Sequence, residues 1–76
     1  MSEHVIRRIE SRDGRQYVEI MARDDGLFRF VESTEMSDEG YVFWTPTHWS
    51  GIFDDADHAE REARATLPWL RSQILT

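Results

Sequence analysis

Between short turn signals the chain alternates. Asp13-Gly14, Asp25-Gly26 and Ser37-Asp38-Glu39-Gly40 punctuate it at even intervals, and apolar and polar residues change sides at period two between them. Asp-Gly between alternating segments marks a hairpin, because glycine accepts the positive φ of a tight turn. Four strands are expected. The first covers about 4–12, with Ile6 set against Val5 and Arg7, and the second about 15–23, where Tyr17, Glu19 and Met21 oppose Val18, Ile20 and Ala22. The third, about 27–34, splits Phe28 and Phe30 from Leu27, Arg29 and Val31; the fourth, about 40–45, sets Tyr41 and Phe43 opposite Val42 and Trp44. Connections of about two to six residues imply an up-and-down antiparallel meander. Pro46 cannot donate to a ladder and is expected to end the last strand.

Beyond Phe53 the period lengthens. Ala56, Ala59, Ala63 and Leu67 recur every three or four residues and define a narrow helical face. Asp54 or Asp55 is the expected N-cap, and Asp54 with Asp57 approximates a capping box. Asp55, Asp57, Glu60 and Glu62 crowd the early turns and Arg61, Arg64 and Arg71 follow, as the helix dipole prefers. This helix covers about 55–66, and its alanines leave room beneath for Phe28, Phe30 or Trp44. Pro68 either stops it near Thr66 or opens a second short helix over 68–75, with Leu70, Ile74 and Leu75 as apolar positions. The fold class is α+β: a three- to four-stranded antiparallel β-meander with a C-terminal helix packed on one face, in a single domain over 1–76.

One helix covers one face of such a sheet, yet the strands carry apolar side chains on both. Tyr41, Phe43, Trp44, Trp49 and Phe53 crowd a short stretch, and large exposed apolar patches are rare on monomers. A second copy, another protein, a ligand, or Trp69 to Leu75 folding back would cover the second face. For so short a strand-rich chain, self-association is the simplest of these. Tyr41, Phe43, Trp44 and Trp49 are therefore the candidate interaction surface, and the expected partner is a second copy, forming a homodimer, or another protein.

Composition narrows the chemistry. At 76 residues and 9.0 kDa the chain allows one small domain. Without cysteine it has no disulfide framework, thiolate zinc site or cysteine nucleophile. Without lysine it has no Schiff-base chemistry and no phosphate-binding P-loop. The formal net charge is −6, unevenly spread: residues 1–30 balance, residues 31–60 hold eight acids and no arginine, and residues 61–76 hold three arginines against Glu62. So acidic a middle would repel a phosphate backbone, although Arg7, Arg8, Arg12 and Arg15 offer a local basic patch. Glu3, Arg7, Arg8 and Glu10 interrupt any leader-like apolar core, and no run approaches the ~20 apolar residues of a membrane span. The expected location is the cytoplasm, with no membrane contact.

Four groupings carry possible chemistry. Asp54 and His58 share a helix face and can form an acid–base pair or hold a metal with Asp55, Asp57, His48 or His4, but no ligand-spacing motif is matched and a helix start selects acids anyway. His48 beside Ser50 suggests a base and nucleophile, yet adjacency is not triad geometry and no Gly-x-Ser-x-Gly elbow is present. Glu32, Glu35, Asp38 and Glu39 lack the spacing of a calcium loop and read as a solvated turn. Trp44 and Trp49 near Tyr41 can stack on bases or sugars, but their neighbours are acidic, which favours packing. No catalytic residue, metal ligand or cofactor site is assigned.

Asp25-Gly26-Leu27-Phe28-Arg29-Phe30-Val31, followed by Ser50-Gly51-Ile52-Phe53-Asp54-Asp55-Ala56-Asp57-His58-Ala59, resembles the YegP-like small bacterial proteins. Those have a Gly-x-aromatic-x-aromatic strand and a Ser-x-x-aromatic step into an alanine-bearing helix. The resemblance covers about half the chain and implies a short antiparallel meander with one helix per unit, often duplicated, and no catalytic residues. This chain departs from it in the acidic segment Ser33 to Thr47, in its single unit and in the Pro68-Trp69-Leu70 tail.

Three functions follow in order. The first is a non-catalytic protein-interaction module that self-associates through its aromatic sheet face. The second is a small-molecule binder or minor enzyme using His48, Ser50 and the Asp54/His58 pair. The third is nucleic-acid binding through Arg7, Arg8, Arg12 and Arg15, which the acidic balance disfavours.

Overall fold

Alternation resolves into four strands that pair in chain order as one antiparallel sheet, β1-β2-β3-β4, followed by two helices. The computed structural model describes residues 2–74. β1 is Glu3–Glu10, β2 Gln16–Arg23, β3 Phe28–Asp38, β4 Tyr41–Trp49, α1 Ala56–Thr66 and α2 Pro68–Ile74. Leu75, the last expected position of the second helix, lies outside the described residues.

Register decides which side chains share a face. Ile20 faces Phe30 and Val18 faces Ile9 and Glu32, so these project together toward the helices. Val18, Ile20 and Phe30 meet Ala59 and Ala63 of α1, Leu67 between the helices and Leu70 of α2 in the buried core. The alanines admit close approach, and Phe30, 2% exposed, fills the space beneath. Full burial of such a side chain is worth roughly 1.5–3 kcal/mol, and there are few of them, so the core is thin. Trp44, the other filler expected under α1, is instead on the opposite face, since it pairs with Glu35.

Both helices lie on that one side. Asp55 caps α1, its carboxylate accepting from the His58 backbone N–H, while Asp54 bonds the His58 ring rather than closing a capping box with Asp57. Asp57 and Glu60 reach Arg7 of β1 at 2.9 and 3.0 Å, tying α1 to the sheet. These bonds, Asp57's first, raise the Arg7 pKa, while Arg64 and then Arg7 hold the Glu60 carboxyl below its ordinary value. Trp69 and Leu70 of α2 add to the covered side, and among the described residues no helix lies on the second face.

Two strands outrun their expected ends. Pro46 does not stop β4, which continues to Trp49. Glu32 pairs with His48 but Ser33 with Pro46, leaving Thr47 as the extra residue of a bulge. On an edge strand beside a bulge, a missing N–H breaks no obligatory ladder bond. β3 likewise runs to Asp38, and the connecting turn has positive φ at both Glu39 (50°) and Gly40 (86°), as a type I′ hairpin requires. In β1, Ile6 is a second bulge between Val5 and Arg7.

Candidate interaction surface

Because β2 begins opposite Thr34, the last residues of β3 and the first of β4 extend beyond it as a two-stranded arm. Where the arm leaves the body, the Glu35 N–H donates to the Arg15 carbonyl at 2.8 Å. On the arm Met36, Tyr41, Val42, Phe43 and Trp44 are all exposed, Tyr41 to 76% and Val42 to 64%.

The four candidate residues do not share a face. Tyr41 pairs with Asp38 and Phe43 with Met36, which puts both on the helix side of the sheet. Trp44 pairs with Glu35 and Trp49 with Val31, on the open side. There Trp44 meets Tyr17 with ring centroids 4.9 Å apart, and the Arg8 guanidinium carbon sits 3.8 Å above the Tyr17 ring. Ser33 is buried between its cross-strand neighbours Tyr17 and Pro46, since its small side chain lets the larger ones close over it. Arg8, Tyr17 and Trp44 thus form a row from β1 to β4, and Trp49, 56% exposed, lies on the same face opposite Val31.

On the helix side the sheet carries a polar cluster. Glu32, 9% exposed, accepts from the Trp69 indole N–H at 2.7 Å and the Thr47 hydroxyl at 3.0 Å, and Thr47 also contacts the Thr34 hydroxyl at 2.9 Å. Its face parity with Phe28 and Phe30 was the signal that this acid turns inward rather than joining a solvated turn. Trp69 also borders a shallow cleft of about 260 Å³ with Ser11, Asp13, Gln16 and Ser72, where Gln73 accepts from the Arg12 backbone N–H at 2.8 Å.

Of the residues weighed for catalysis, Asp54 and His58 meet at 3.2 Å, and the bond lowers the Asp54 pKa. His48 stacks on Phe30 at 5.7 Å. Ser50 is engaged with the backbone, accepting from Phe30 N–H and donating to the Gly51 carbonyl. No group of three or more His, Cys, Asp or Glu able to hold a metal occurs among the described residues. Of the N-terminal arginines, Arg7 points to α1 while Arg8 lies on the open face near Glu10 and Glu19, so these two are not in one patch. No helix is long and apolar enough to cross a membrane among the described residues. No family model, curated protein or solved structure matches the chain.

Proposed function

We propose that the chain is a non-catalytic interaction module that self-associates through the aromatic surface of its β3–β4 half. The carrying observation is the exposed run Tyr41, Val42, Phe43 and Trp44, with Trp49 exposed further along the same strand, while the core is built elsewhere. Exposed apolar patches of this kind mark contact sites, and binding energy concentrates in their Trp and Tyr residues. The tilted ring contact with Tyr17 holds Trp44 in place before any partner arrives, which lowers the ordering cost of binding. A second copy is the occupant proposed, since so small a fold gains most from an apolar surface that is self-complementary. Kinship with the YegP-like proteins belongs to this proposal and rests on the two segments quoted above.

The test is solution mass with Trp44→Ala and Phe43→Ala. Both variants should keep the parent's circular dichroism and show a lower average mass at matched concentration. A mass unchanged in both would overturn the reading.

A further inference from the structure

The sheet has two edges, and they are built differently. β1 carries the bulge at Ile6 and four charged residues, Glu3, Arg7, Arg8 and Glu10, of which Arg7 is ion-paired with Asp57 and Glu60 of α1. Bulges and charges are among the ways natural edge strands avoid pairing with other chains. β4 has its proline and its bulge only at Pro46 and Thr47. The five residues before them, Tyr41-Val42-Phe43-Trp44-Thr45, carry no charge, no proline and no bulge, and are all strong strand formers.

We propose that this segment pairs antiparallel with the same segment of a second copy, so that two four-stranded sheets become one. The proposal rests on the self-association reading and names its contact. Gly40 and Pro46 bound the free segment, so a twofold axis at Phe43 is the register that pairs all of it. Phe43 then faces the partner's Phe43, Val42 the partner's Trp44, and Tyr41 the partner's Thr45.

Two features of the arm favour this over stacking open face on open face. First, its apolar residues lie on both sides, Tyr41 and Phe43 on one and Val42 and Trp44 on the other. Face stacking covers only the second pair, whereas edge pairing gives every one of the four a cross-strand neighbour. Second, the acids Glu35, Asp38 and Glu39 sit on β3 and the turn, one strand away from the new seam, so no like charges are set opposite one another. With aromatic side chains at roughly 200 Å² each, the exposed parts of these four residues amount to about 400 Å² per copy. A standard interface buries ~800 Å² per partner, so the contact is of the weak, concentration-dependent class.

The absence of cysteine makes the register directly testable by disulfide trapping. Residues directly opposite in an antiparallel pair have Cα atoms about 4.5–5.5 Å apart, inside the range a disulfide spans. Phe43→Cys alone should form a linked dimer on mild oxidation. Val42→Cys and Trp44→Cys should each stay unlinked alone, yet link when mixed. That mixture keeps the test intact if the Phe43 variant folds poorly. Self-linking of Trp44→Cys or Trp49→Cys with the Phe43 variant silent would move the contact to the open face, overturning edge pairing while leaving self-association standing. Equal linking by every variant would mean random collision and would also overturn it. A parent that stays at 9.0 kDa throughout would remove both proposals together.

Discussion

Trp69 of α2 donates its indole N–H to the Glu32 carboxylate of β3 at 2.7 Å, and this bond pins the second helix to the sheet. Among the described residues no cation lies within salt-bridge reach of Glu32, so its charge is held by Trp69 and Thr47. A buried acceptor that loses a donor pays the desolvation of the group, about 1–3 kcal/mol. Trp69→Phe preserves most of the packing and removes only the N–H. Its melting temperature should fall by roughly 4–8 °C for each kcal/mol lost, as expected for a domain of this size. An unshifted melt would show that Glu32 is solvated and that the indole bond does not hold α2.

The β3–β4 turn carries a residue unsuited to it. Glu39 has φ of 50°, a conformation that L-residues other than Asn and Asp adopt at a cost of roughly 1–2 kcal/mol. Asn-Gly is the preferred pair for a type I′ turn. Glu39→Asn should therefore stabilise the chain by about 0.5–1 kcal/mol in urea unfolding with an unchanged slope. A loss of stability would mean that the Glu39 carboxylate makes a contribution larger than the strain.

Acid should loosen the join between α1 and β1. The Arg64 and Arg7 bonds lower the Glu60 pKa in the folded chain, so folding favours its ionised form. The resulting stability is fully present above the unfolded glutamate value of about 4.3 and is lost as pH falls through the lower folded value. Asp13, held down by the Ser11 hydroxyl and the Arg15 N–H, and Asp25, held down by the Leu27 N–H, act in the same direction. Glu60→Gln should be less stable than the parent at neutral pH and converge with it in acid. Parallel pH profiles would show that the Glu60 bonds add nothing.

How far the sequence discloses this molecule varies along its length. In β2 and β3, alternation places Val18, Ile20, Phe28 and Phe30 on one side, so strand order and the span of α1 were readable and its cap was narrowed to Asp54 or Asp55, while the face that α1 covers was not. Pro46 misleads because a proline forbids a ladder bond only where one is needed, and a bulge on an edge strand does not need it. The same bulge hides the length of the arm, whose residues on both sides look like ordinary core positions until β2 is seen to stop short. Tyr41, Phe43, Trp44 and Trp49 were identifiable as exposed aromatics, but parity alone divides them between faces, and one extra residue at Thr47 shifts that parity for Trp49. The bond between Glu32 and Trp69 joins positions far apart in the chain, which no local pattern reports.

The most direct measurement of the central claim is solution mass by light scattering after size exclusion, over a hundredfold range of concentration. Self-association through the β4 aromatics requires the mass to climb from 9.0 kDa toward twice that value as concentration rises, with Phe43→Lys holding the monomer mass throughout. A parent fixed at 9.0 kDa across the whole range would contradict it.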